Sequence, residues 1–126
     1  MKPILLFLLL TFAVHADAIT ELKIKGVNVH GETFKIGVTG LEVKEDQLDK
    51  YFKKDAIKTI KKSIDFTKQK LVVIAWQGSG RDSMNYVIKE SYPEQILFDR
   101  KRGRTKDLRS HLRVFILRKN VSWSSK

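Results

Sequence analysis

Polar and apolar residues alternate over Thr20-Glu21-Leu22-Lys23-Ile24-Lys25, the two-residue period of a strand with one buried face. Thr33-Phe34-Lys35-Ile36-Gly37-Val38 repeats the pattern, with Asn28-Val29-His30-Gly31-Glu32 between them. This predicts a β-hairpin with Gly31 at a positive φ. Leu41-Glu42-Val43 reads as one more short strand. The period then lengthens. Leu48, Tyr51 and Phe52 fall at helical steps behind Glu45 and Asp46, which suit a first turn because the amide dipoles there favour negative charge. Ile57, Ile60 and Ile64 form a second helical stripe, with Asp55 as the expected N-cap and Lys54, Lys58, Lys61 and Lys62 off the stripe.

Leu71-Val72-Val73-Ile74-Ala75-Trp76 has no polar member, so it predicts a central strand covered on both faces. A glycine-bearing loop follows, from Gln77 to Asn85. Tyr86–Glu90 and Ile96–Arg100 read as strands joined by the turn Ser91-Tyr92-Pro93-Glu94. Gly103 interrupts a basic run, Leu112–Leu117 is the last strong strand, and the tail after Trp123 is expected to be loose. Strands, two helices, then four strands define an α+β fold: an antiparallel sheet of about five to seven strands with two short helices on one side. With no repeat or internal linker, residues 19–126 are expected to form a single domain.

The first eighteen residues follow a different rule. Lys2 precedes the apolar run Pro3–Val14, and His15-Ala16-Asp17-Ala18 puts small residues after it. This is the pattern of a cleaved signal peptide, with the cut after Ala16 or Ala18. The run is short for a membrane span, and an uncleaved anchor is the alternative. Secretion, or residence in a bacterial periplasm or envelope, is the expected location. The chain contains no cysteine. That excludes thiolate catalysis, a cysteine-held zinc, an iron–sulfur cluster and a lipidated cysteine, and no metal or cofactor is expected.

The net charge is +11, and it is unevenly placed. Residues 44–70 carry nine lysines against five acids, while residues 100–119 carry nine lysines or arginines against Asp107 alone. Such a field attracts polyanions or an acidic protein partner.

Two segments carry candidate chemistry. Gly78-Ser79-Gly80-Arg81-Asp82 leaves the apolar strand, and its glycines allow backbone N–H groups to converge on an anion under Arg81. It lacks the Gly-Lys-Ser/Thr of a phosphate-binding P-loop. The second segment, Arg100 to Arg113, holds five arginines, whose forked guanidinium suits phosphate and carboxylate. Arg109, His111 and Arg113 from this stretch are expected to help Gly78, Ser79, Gly80, Arg81 and Asp82 bind an anion. His30 and His111 are the histidines beyond the leader, the minimum for a two-histidine phosphodiesterase.

Ile64-Asp65-Phe66 through Trp76-Gln77-Gly78-Ser79-Gly80-Arg81-Asp82, with the later Asp107-Leu108-Arg109-Ser110-His111, resembles a group of small exported bacterial proteins of unknown role. The resemblance covers roughly the C-terminal two thirds and implies that the Gly78–Asp82 loop and the Asp107–His111 stretch form one site. The buried strand, glycine loop and Tyr-led strand are more distantly similar to the C-terminal domain of bacterial protease-stabilising accessory proteins. The sequence therefore points to a non-catalytic binding module for an anionic ligand or partner. The alternatives are a small secreted phosphodiester or ester hydrolase using His111, or a module that stabilises or inhibits a protease.

Overall fold

The six apolar residues are the middle of a ten-residue strand around which the rest is built. The computed structural model describes residues 17–126; the expected leader therefore lies, up to residue 16, outside the described residues. Strands β1 (Ile19–Leu22), β2 (Gly37–Val43), β3 (Gln69–Gly78) and β6 (Arg109–Arg118) form one antiparallel sheet in the order β1-β6-β3-β2. Strands β4 (Ser83–Lys89), β5 (Gln95–Lys101) and β7 (Ser122–Ser125) form a second, β4-β5-β7. The helices α1 (Leu48–Tyr51) and α2 (Lys54–Ser63) complete the α+β fold.

Strand β3 is buried from Leu71 to Trp76 because both of its faces are covered. Its odd-numbered residues Leu71, Val73 and Ala75, with Val114 and Ile116 of β6, pack against Leu48, Phe52, Ala56 and Ile60 of the helical layer. Its even-numbered residues Val72, Ile74 and Trp76, with Phe115 and Leu117, pack against Met84, Ile96 and Phe98 of the second sheet. The result is three layers: helices, a four-stranded sheet and a three-stranded sheet. Each fully buried Val, Leu, Ile, Phe or Met among them contributes about 1.5–3 kcal/mol of transfer free energy.

Several local expectations need correcting. The alternating segments near the N-terminus do not form a hairpin. β1 pairs with β6, from Ile19↔Leu117 to Leu22↔Val114. Residues 26–28 and 31–35 are 3-10 turns instead. The side chain of Thr33 explains the second turn: it is buried and its hydroxyl donates to the Tyr51 carbonyl at 2.7 Å, tying the segment to α1 rather than to a strand. The positive φ belongs not to Gly31 but to Gly37 (82°) and Gly40 (76°), where the β2–β3 register shifts. Lys53, not Asp55, is the N-cap of α2, and Asp55 sits in the first turn, where its charge meets the amide dipoles. The tail is not loose. β7 lies parallel to β5, from Gln95↔Ser122 to Phe98↔Ser125, and Trp123 Nε1 donates to Glu42 at 2.6 Å.

Candidate anion-binding surface at the loop end of the sheets

Pairing of β3 with β6 runs to Gly78↔Arg109, so the loop leaving β3 and the loop entering β6 emerge side by side. Two aspartates lock them together. Asp82 is almost fully enclosed, with a side-chain exposure of 3%. Its Oδ1 accepts the Gly103 N–H at 2.7 Å, and its Oδ2 accepts Trp76 Nε1 at 3.1 Å and Arg100 Nη1 at 3.3 Å. Asp107 reaches the other way. Its carboxylate accepts the Gly80 N–H at 3.1 Å and Arg109 Nε at 3.0 Å. Both carboxyls are held below the ordinary aspartate range. For Asp82 the Gly103 amide is the main cause, against an opposing effect of burial. For Asp107 it is the Thr105 hydroxyl, then the Gly80 amide and Arg109.

The turn closes on itself. Asp82 N–H donates to the Ser79 carbonyl at 2.9 Å, and Arg81 N–H donates to Ser79 Oγ at 3.2 Å. Ser79 Oγ also bonds the Thr105 hydroxyl. His111 lies across from Trp76 in the β-ladder and stacks on it, with ring centroids 4.8 Å apart. His111 Nε2 is 2.7 Å from the Ser79 carbonyl. A carbonyl can only accept, so Nε2 carries the proton. Glycine is required where the loops touch: a Cβ on Gly103 would stand 2.5 Å from the Arg81 carbonyl carbon and 2.7 Å from Ser79 Oγ.

The structure thus brings Gly78, Ser79, Gly80, Arg81, Asp82, Arg109 and His111 to one end of the molecule. Arg113 is not among them. Its Nε and Nη2 donate to the two oxygens of Glu21 at 2.6 and 2.9 Å, and its Nη1 donates to the Met84 carbonyl at 2.8 Å. It ties β1 and β6 to β4 instead. The amides of Gly80, Arg81 and Asp82 are also committed to Asp107 and Ser79; the nest holds a carboxylate of its own chain. What remains for a ligand is the rim. Arg81, Lys101, Arg102, Arg104 and Lys106 are exposed, and none forms an ion pair among the described residues. Arg102 also lines a shallow depression of about 310 Å³, with Gln77, Ser79, Asp82, Arg100, Gly78 and Gly103. A hollow of about 390 Å³ at the opposite end of β3 mixes Glu42 and Glu45 with Lys44, Lys70 and Lys119, so it presents no single sign of charge.

This geometry is poor for hydrolysis. His111 spends its Nε2 proton on a carbonyl, the neighbouring hydroxyl of Ser79 is engaged by Thr105, and His30 stands in the helical layer on the far face of β3. No group of three or more His, Cys, Asp or Glu residues suited to a metal occurs among the described residues. No described helix is long and apolar enough to cross a membrane. Comparison with protein-family models, with curated proteins and with solved structures finds no match.

The residues missed in the sequence are Trp76, Arg100, Gly103 and Thr105 as scaffold; Asp107 was expected at the site, but not as the acceptor of the Gly80 amide. One signal was available for Arg100. It shares the parity of Ile96 and Phe98 on β5, so its side chain had to start inward.

Proposed function

We propose that this chain is a non-catalytic binding module that docks on a polyanion through the cationic rim of its two joined loops. One observation carries the reading: five exposed cations without carboxylate partners stand on a base whose own carboxylates are consumed internally. Fixed loops hold the rim charges close together without ordering them at the moment of binding, which limits the entropy lost on association. The ligand surface is electrostatic and shallow, so it suits a repeating anionic polymer or an anionic surface better than an enclosed small molecule. The leader and the resemblance to exported bacterial proteins support a site of action outside the cytoplasm.

Heparin is a suitable probe, being a dense sulfated polymer. The chain should be retained at low salt and released steeply as salt rises, because binding displaces condensed counterions. Reversing Arg81, Arg102 and Arg104 to Glu should abolish retention. No retention at low salt, or retention indifferent to that reversal, overturns the proposal.

A further inference from the structure

We propose that β4 is a dimerisation edge: two copies of this chain join their β4 strands antiparallel about a two-fold axis at Val87, fusing the three-stranded sheets into one of six strands. The inference goes beyond the polyanion reading and stands on different residues.

The backbone directions come from the far side of the sheet. Arg100 N–H donates to the Lys126 carbonyl at 3.1 Å, and Lys126 N–H donates to the Phe98 carbonyl at 3.0 Å. Even-numbered residues of β5 therefore face β7, and the odd-numbered ones face β4. In the observed register the hydrogen-bonded pairs are then Asn85↔Asp99, Val87↔Leu97 and Lys89↔Gln95. By alternation, Met84, Tyr86 and Ile88 turn their N–H and C=O groups to the side where no described strand lies. The Met84 carbonyl is taken by Arg113 Nη1. Those of Tyr86 and Ile88 have no partner among the described residues.

The side chains agree. Tyr86, Val87 and Ile88 are consecutive and exposed at 37%, 60% and 42%. No charge occurs from Ser83 to Ile88, in a chain that is 31% charged. The other edges carry the usual protections against pairing. β1 has four residues, and its Glu21 pairs with Lys23 just beyond its end. β2 is broken by a register shift. β7 has four residues and is held to β2, where Ser125 Oγ donates to the Thr39 carbonyl at 2.6 Å. β4 runs seven residues with no proline and an unbroken register.

A second copy fits this edge better than an acidic peptide would. The chain's +11 charge draws acidic partners to its cations, whereas β4 lets two like-charged copies meet with no like charges opposed. Pairing Tyr86 with Ile88 of the second copy sets Lys89 against Asn85 and Glu90 against Met84. Among the described residues each chain has one such edge, so pairing stops at two.

The test uses sedimentation and cross-linking on the whole chain. The wild type should form a concentration-dependent dimer that strengthens with salt, since salt screens the repulsion between copies; heparin retention responds to salt in the opposite sense. Ile88→Lys, at a half-exposed position, should remain monomeric and still bind heparin. The chain has no cysteine, so Val87→Cys introduces a unique thiol. Across the two-fold it would meet its counterpart at about 4.5 Å between Cα atoms, within disulfide reach. It should cross-link at least ~10-fold faster than Lys58→Cys on α2, a difference of about 1.4 kcal/mol in barrier. A wild type that stays monomeric at high salt and concentration, open-ended oligomers, or equal cross-linking at both positions overturns the proposal.

Discussion

The molecule has two basic regions, and they differ in what has become of their acids. In the helical layer, Lys53, Lys54, Lys58, Lys61 and Lys62 stand in water beside Asp49 and Asp55, which are equally exposed. Positive and negative charges there share one solvated surface, where ion pairs contribute little. In the joined loops the acids are bonded into the loops themselves: Asp82 is enclosed, and Asp107, though exposed, is engaged. Asp82 ties Trp76, Arg100 and Gly103 together, and Asp107 ties Gly80 to Arg109. The cations left outside are uncompensated. A surplus of charge is therefore a weak guide to binding, while the location of the counter-charges is a strong one.

The sharpest way to break this contrast is through the glycines. Gly103→Ala forces a Cβ into the Arg81 backbone and should destabilise the chain by about 1–3 kcal/mol in denaturant unfolding. Gly31→Ala, beside the helical layer, meets nothing within 4 Å and should leave stability unchanged or raise it by up to about 1 kcal/mol. Equal losses at both positions would show that the loops are no more rigidly built than the helical layer.

Charge reversal comes next. Arg81, Arg102 and Arg104 to Glu should weaken heparin binding at least ~10-fold at low salt, about 1.4 kcal/mol. The matched reversal of Lys54, Lys58 and Lys61 changes net charge equally and should weaken it only ~2–3-fold, through the long-range field. Identical losses would mean that net charge alone governs binding.

Acid should separate the regions more gently. The folded pKa values of Asp82 and Asp107 lie below their unfolded value near 3.8. Glu21 lies below 4.5: burial pushes it up more than any single partner pulls it down, but the hydrogen bonds and charges of Arg113 and Lys23 together outweigh burial. Depressed carboxyls stabilise the fold fully above the unfolded pKa and lose that contribution as pH falls through the folded one. As pH falls well below 4, through those depressed folded values, the Gly80 and Gly103 amides should lose hydrogen-exchange protection before the amides of α2 do. The smallest effect belongs to Lys58→Ala on the exposed face of α2, expected within ~0.5 kcal/mol of the wild type.

What could be read in advance followed from burial. The run Leu71–Trp76 announced a strand covered on both faces, and Ile57, Ile60 and Ile64 announced the helix, because each pattern records which face meets the core. The meeting of the Gly78–Asp82 loop with the Asp107–His111 stretch was also expected, from resemblance rather than from spacing. Pairing partners were not legible. Thr20–Lys25 alternates as a strand must, but alternation says nothing about whether its neighbour lies ten residues away or nearly a hundred. The tail misled for a similar reason. Ser122-Trp123-Ser124-Ser125 has little strand propensity, and it is ordered by backbone pairing in the second sheet, where the Lys126 N–H donates to the Phe98 carbonyl and the Arg100 N–H donates to the Lys126 carbonyl. Strand alternation puts Arg113 on the face opposite Leu112 and Val114, but its destination depended on Glu21, a residue 92 positions earlier.

That separation bears on how the protein is born. A polypeptide delivered from its N-terminus, by a ribosome or through a translocation pore, presents β1 long before β6 arrives to receive it. Neither sheet can be completed until the stretch from Arg109 to Ser125 is free. Most of the chain must then wait with its greasy central strand unshielded, which makes this an intrinsically slow folder by topology and a natural client for holding chaperones during delivery.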